Sequence, residues 1–309
     1  MTLHPDPIGC DVSKAHLDFF IAGSGTNMRI DNTSAAICGW LSEYQQDAAL
    51  IVFEATGRYD RKLRDALETS GRAYARVNPA RARDFAKALG LLAKTDRIDA
   101  RMLAMMGTSL ALSPTAPSDP MKERFTAVQR RRDQLVSMRQ KEKQRLREAE
   151  ALERDSLERH IAWLSAEIKA LEQTCDQLVR QNRELSKKMT LLRSIPGVGP
   201  VTAAALISHL PELGSLSPKA VAALAGLAPF NTDSGRFQGK RSIRGGRKRV
   251  RDALYMAAVT AARSNARFSN WAERLALKGK PFKVVTIALA RKILTIANAI
   301  IRDNKPYTP

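Results

Sequence analysis

The chain has 309 residues, 44% of them hydrophobic, and its 51 Lys plus Arg against 31 Asp plus Glu give a net charge of +20 and a pI near 10.3. That length and apolar content support one to three cored domains and exclude a disordered chain, while the charge points to a polyanionic partner, nucleic acid first. Cys10, Cys38 and Cys175 are odd in number and lack CxxC or Cys/His spacing, which excludes a disulfide framework or structural zinc; with no run of about 18 uncharged apolar residues and no basic-then-apolar start, a cytoplasmic location is expected.

Residues 7 to 112 alternate strand-like and helix-like segments: PIGCDV, HLDFFIAG, a helix around 34 to 46, LIVF, a helix from about 60, AYARV, and helices beyond. That order predicts an α/β domain with a mixed sheet. SPTAPSDP, residues 113 to 120, has three prolines in eight positions and reads as a linker. From 121 to 193 there is no Gly or Pro, and a heptad runs through Ile161, Leu164, Ile168, Leu171, Cys175, Leu178, Asn182, Leu185, Met189 and Leu192. A sustained 3.5-residue repeat predicts a left-handed coiled coil, with Asn182 at an a position as a register-fixing device. The seam is read as a self-association helix, through which a dimer or tetramer would form, with a helical hairpin closed on its own domain as the alternative. Residues 194 to 309 form an Ala-rich, Gly- and Pro-punctuated region predicted to be all-α, with Ser217 as an N-cap ahead of Pro218 at N1.

Four acids of the first region stand at element edges: Asp11 in IGCDVSK, Glu54 in VFEATG, and Asp96 and Asp99 in KTDRIDA. Asp11 and Glu54 each follow an apolar strand pattern, and Asp96 and Asp99, three apart, share one helix face. Crowded carboxylates need compensating cations, and two Mg²⁺ ions held this way can activate the attacking oxygen and stabilise the leaving oxygen of a phosphoryl displacement. Taken singly, each acid also has a plain reading, as a first-turn residue behind a Thr95 cap or as the partner of an arginine.

The second constellation is NTDSGRFQGKRSIRGGRKRVRDALYMAA, residues 231 to 258. Between Arg236 and Arg251, eight of sixteen residues are Lys or Arg and none is acidic, the footprint of phosphate contact, with Arg236, Lys240, Arg241, Arg244, Arg247 and Lys248 as candidates. Ser234 opens this segment; among arginines it is either a nucleophile toward a phosphodiester or an ordinary loop serine. Upstream, LLRSIPGVGPVTAAALISHL reads as helix, glycine hairpin, helix, in which Gly197 and Gly199 either offer backbone N–H groups to a phosphate or close a packing corner. Neither GxSxG nor GxxxxGK[ST] is present, so a Ser-His-Asp hydrolase and ATP use are unsupported.

In that order, IGCDVSK, VFEATG, KTDRIDA, the heptads, IPGVGPVTAAALI, AGLAPF and DSG…GKRSIRGGRKRVRDALYMAA resemble the DEDD-motif insertion-sequence transposases that include the pilin-gene invertases, over nearly the whole chain. The resemblance implies an RNase H-like (RuvC-like) N-terminal domain over residues 1 to 112, for which that length is short. It implies a coiled coil over 121 to 193 and a C-terminal transposase domain over 194 to 309 with a helix-hairpin-helix-like element. It makes Asp11, Glu54, Asp96 and Asp99 ligands of Mg²⁺ and Ser234 a nucleophile that forms a covalent phosphoserine link to DNA. Its further implications are donor and target DNA as partners, a structured non-coding (bridge) RNA as guide, and a dimer or tetramer whose active site is composite. Two readings without the serine stay open: a junction-resolving nuclease that uses water, and a non-catalytic nucleic-acid scaffold.

Overall fold

The computed structural model describes residues 6–44, 49–90, 96–117, 119–230 and 242–308, with the side chains of 96–98 and of 230 outside the description. The chain divides into two compact units, residues 1–117 and 118–309.

The first unit is a five-stranded sheet built from β1 (Ile8–Val12), β2 (His16–Ile21), β3 (Thr26–Asp31), β4 (Ile51–Glu54) and β5 (Tyr74–Val77). Its order is β3-β2-β1-β4-β5, antiparallel across the first three strands and parallel from β1 to β4 to β5. A mixed α/β sheet is therefore what the alternating pattern builds. The strand TNMRID, with polar residues at every second position, went unread in the sequence; it is the exposed edge.

Alternation sorts the strand side chains onto two faces. Ile8, Cys10 and Val12 of β1 and Ile51 and Phe53 of β4 pack beneath α1 (Ser34–Glu43) and α2 (Arg61–Thr69), around Trp40, Leu63 and Leu67. Leu50 and Val52 pack on the opposite face, against Met102, Leu103 and Met106 of a helix spanning Asp96–Ser109. A further helix, Pro79–Ala88, precedes it in the chain and is α3, so the Asp96–Ser109 helix is α4. Residues 112–117 run on without regular structure, tied to β5 by Thr115 N–H donating to Tyr74 O at 2.7 Å and by Arg76 N–H donating to Thr115 Oγ1 at 2.9 Å.

The second unit begins with α5 (Pro120–Glu148), whose N-cap Asp119 accepts from Met121 N–H, followed by α6 (Ala151–Gln181) and α7 (Arg183–Arg193). α5 and α6 form an antiparallel hairpin, as the paired residues show by running in opposite directions: Gln129 with Cys175, Arg132 with Glu172, Arg139 with Ser165. Leu135 of α5 meets Leu164 and Ile168 in this seam.

The heptad stripe is thus filled from within the chain. The expected heptad, which runs through Asn182 at an a position, is interrupted there: the backbone is extended (φ −122°, ψ 110°), helix α6 ends, and the Asn182 side chain caps α7 by accepting from Leu185 N–H at 2.9 Å. Beyond that break, Leu185, Met189 and Leu192 join the same core as Phe125, Leu254 and Ile293.

That core is completed by α8 (Pro200–His209), α9 (Pro218–Leu224), α10 (Lys248–Ser264), α11 (Ala266–Leu277) and α12 (Phe282–Asp303), with a short ladder of β6 (Pro229–Phe230) and β7 (Ser242–Ile243). Ser217 caps α9 by accepting from Ala220 N–H, ahead of Pro218. Among the described helices, α12 is long and apolar enough by composition to cross a bilayer, but it buries Leu289, Ile293, Leu294 and Ala297 in this core. Buried Asn298 on the same helix clamps a turn, accepting from Gly214 N–H and donating to Leu216 O.

Charge divides along the same boundary. Residues 118–309 hold 37 of the 51 Lys and Arg and 18 of the 31 acids, a net +19, against a net +1 for residues 1–117.

Candidate active site

A glycine within a strand commonly marks a close backbone approach. Gly9 in β1 is such a case: a Cβ there would lie 1.8 Å from Ala100 O and 2.6 Å from Ala104 N, so α4 rests directly on the strand backbone. At the other end of α4, Gly107 is pressed against Pro7 and Val52. The two contacts fix the helix antiparallel to β1, with its N-terminal turn over the end of the strand that carries Asp11.

Asp11 lies two residues beyond Gly9 and Glu54 two beyond Val52, so both point to the face that α4 covers. β1 and β4 are parallel neighbours with Cys10 opposite Phe53, and one further step sets Asp11 beside Glu54. Both acids are half-buried, as is Asp99, which adjoins Ala100 at the Gly9 contact. Asp96 opens α4, its side chain outside the description, as is Thr95. Asp11 and Glu54 therefore share one face and one end of the sheet, with Asp99 in the first turn of the helix that covers that face. Among the described residues, no three Asp, Glu, His or Cys side chains are gathered tightly enough to hold an ion as they stand.

Asp11, Glu54 and Asp99 offer hard carboxylate oxygens, the type that suits Mg²⁺. The nearest thiol is no competitor: Cys10 faces the other side of the sheet, and burial first, then the charges of Asp11 and Asp18, push its pKa well above the usual value.

In the second unit, Ser234, Arg236, Lys240 and Arg241 fall in residues 231–241, outside the described residues. Where the chain leaves and returns is defined. β6 pairs antiparallel with β7, Pro229 opposite Ile243 and Phe230 opposite Ser242. Just beyond, the backbones of Gly226 and Gly246 touch: both have φ of +67°, and a Cβ on Gly246 would lie 2.2 Å from Gly226 N. Arg251 secures the contact by donating from Nη1 to Gly245 O at 2.6 Å.

The described cations of this segment divide by role. Arg244 is exposed after β7, and Lys248 pairs with Asp252 at 2.6 Å yet stays 78% exposed. Arg247, expected on phosphate, is occupied within the fold: it donates to both oxygens of Glu212 and, at 3.1 Å, to His209 O. Burial alone would raise the Glu212 pKa, but the hydrogen bonds from Arg247 and its own backbone hold it below the ordinary carboxylate value.

Arg249 was not singled out in the sequence. It donates from Nε and Nη2, each at 2.6 Å, to the two oxygens of Asp133 on α5, and His209 Nε2 lies 3.2 Å from the same carboxylate. These contacts fasten the start of α10 to α5 and α8. No local sequence signal marks them, because Asp133 and Arg249 are 116 residues apart.

In the glycine hairpin, Gly197 has φ +85° and packs where a Cβ would lie 2.4 Å from Ala257 O, so its place is explained by the close approach of α10. Gly199 is the exposed N-cap of α8, ahead of Pro200.

The profile of the transposase family IS116/IS110/IS902 matches residues 189–273, and that of a DEDD transposase of IS110 type matches residues 8–153. The chain is 30% identical over 311 residues to the pilin gene-inverting protein of Moraxella bovis, covering 97% of each, and equally so to that of Moraxella lacunata. It is 29% identical over 156 residues to the insertion element IS900 uncharacterized 42 kDa protein of Mycobacterium paratuberculosis, covering 48% of this chain and 39% of that protein. With these two matches and a relative 30% identical over 97% of its length, the chain belongs to the IS110-type DEDD transposases, enzymes of DNA transposition and recombination.

Proposed function

We propose that the chain cleaves and exchanges DNA strands through a covalent phosphoserine intermediate on Ser234, with Asp11, Glu54, Asp96 and Asp99 as an Mg²⁺-binding set in an RNase H-like domain. The observation that carries this reading is that Asp11 and Glu54 share one face and end of the sheet, with Asp99 in the first turn of the helix that Gly9 seats over that face. Bound there, Mg²⁺ would activate the attacking oxygen and stabilise the leaving one.

Each residue then has a task. Ser234 Oγ forms a bond to phosphorus while the DNA P–O bond breaks, and the released strand end leaves as a hydroxyl. Conserving the phosphodiester as a serine ester lets a second strand's hydroxyl reverse the step without ATP. Arg236, Lys240, Arg241, Arg244 and Lys248 hold the phosphates, while Arg247 and Arg249 hold the segment's own base. Donor and target DNA, a structured guide RNA and further copies of the chain complete the assembly, with the acids of one copy serving the serine of another. The net +19 of residues 118–309 suits that quantity of nucleic acid.

The test is to denature cells that express the protein beside its native flanking DNA and look for DNA linked to protein. An adduct in wild type that disappears in Ser234→Ala, with nucleic-acid binding nearly intact, is expected. Asp11→Asn should also remove it. Metal-dependent nicks with free ends in both wild type and Ser234→Ala would instead establish the hydrolytic nuclease.

A further inference from the structure

Three of the most exposed large apolar side chains in the described residues lie within eight positions: Leu277 at 88%, Phe282 at 67% and Val284 at 52%. They flank the turn from α11 to α12 and alternate with Lys278, Lys280 and Lys283. Every residue from Ala276 to Val284 is exposed. The three lysines have no ion pair among the described residues, and the sequence has no acid between Arg274 and Arg302.

The turn is held rather than loose. Gly279, at φ +73°, donates to Ala276 O at 2.9 Å, and Lys280 N–H donates to Leu275 O at 3.3 Å, a glycine-terminated helix end. Pro281 caps α12, whose next residues Val285, Thr286 and Leu289 are buried. The Phe282 ring is thus presented to solvent from a fixed helix start, at the hydration cost of an exposed aromatic.

We infer that this turn is a docking site for an unpaired nucleic-acid strand, with Phe282 as the platform on which a base stacks and Lys278, Lys280 and Lys283 on the flanking phosphates. An aromatic set among cations is the chemistry of single-strand binding: the ring takes any base that is free of its own stack, and the lysines track the backbone. A second copy of the chain suits the patch poorly. A two-fold contact would bring lysine onto lysine with no acid in the segment to compensate, between units that each carry +19. This inference adds a strand-holding surface to the proposed recombinase and does not depend on the serine chemistry.

The experiment uses the full chain in the Ser234→Ala background, so that binding is read without strand cleavage. Its probes are an unstructured oligonucleotide, as DNA and as RNA, and a duplex of the same length. Phe282→Ala is expected to weaken the single strand by about tenfold, with little change for the duplex. Phe282→Trp should retain affinity, and its added emission should be quenched by the single strand. Replacing all three lysines by Gln should lower the slope of log affinity against log salt by about 2. Single-strand affinity unchanged in Phe282→Ala, or lost equally for the duplex while the Phe282→Trp emission stays unquenched, overturns the inference. A change in sedimentation mass with affinity intact overturns it too and makes the patch a contact between copies. Loss of the covalent adduct test in wild type would sink the serine mechanism and leave this result standing.

Discussion

Asp133 shows how much a single carboxylate can do away from the chemistry. Burial pushes its pKa up, but the hydrogen bonds from His209 and Arg249 outweigh that and hold it at about 2, below the ordinary 3.8. A depressed carboxylate contributes stability above its unfolded pKa and loses it as pH falls through the folded one, so the window here runs from about 4 down to about 2. Asp133→Asn should cost about 2 kcal/mol at neutral pH and flatten the acid limb of the stability curve in that window. Denaturant unfolding at stepped pH reads both; an unchanged acid limb would remove Asp133 from this role. At this scale the sequence was informative only where a residue's neighbours are local. Asp11 and Glu54 were legible because each ends an apolar run. Asp133, Glu212 and Arg249 were not, since an ion pair between distant positions leaves no trace in the pattern around either member. Arg247 sits in a basic run and reads as a phosphate ligand, yet its guanidinium is occupied by Glu212.

Elements were legible by period and less so by partner. The heptad from Ile161 specifies a seam, but nothing in a 3.5-residue repeat names the helix that fills it, and α5 of the same chain does so. Asn182 also changes meaning. At an a position its replacement by Leu would be expected to strengthen association; as the cap of α7, Asn182→Leu should cost about 1 kcal/mol and leave the molecular mass unchanged. Melting and sedimentation of the variant distinguish the two. In the α/β unit, the helix that carries the acids was legible as a helix, while its seating was decided by Gly9. Gly9→Ala forces a Cβ onto the Ala100 carbonyl, so α4 must lift from the sheet at a cost of about 2–3 kcal/mol, carrying Asp96 and Asp99 away from Asp11. Reduced melting together with loss of the proposed Mg²⁺-dependent cleavage is the expected result, and a wild-type melting curve would contradict the packing.

Over the whole molecule, the overall +20 that suggested nucleic acid is not spread over the chain. The α/β unit is nearly neutral, and the helical unit holds the charge. Affinity for nucleic acid and the proposed carboxylate chemistry would then divide at residue 117. A fragment of residues 118–309, which has its own core, should keep most of the full chain's affinity and salt dependence, whereas residues 1–117 should bind weakly; gel-shift titrations of the two fragments at stepped salt test this. The composition gave the sum of the charge but not its partition, which needs the boundary between units. The β6–β7 ladder has a consequence of another kind, as a leash. Ser234 is four residues from Phe230, and a fully extended chain reaches about 3.6 Å per residue. Chain length alone therefore holds its Cα within about 14 Å of the Phe230 Cα, so the proposed attack by Ser234 would require the phosphate to be delivered to the end of that ladder.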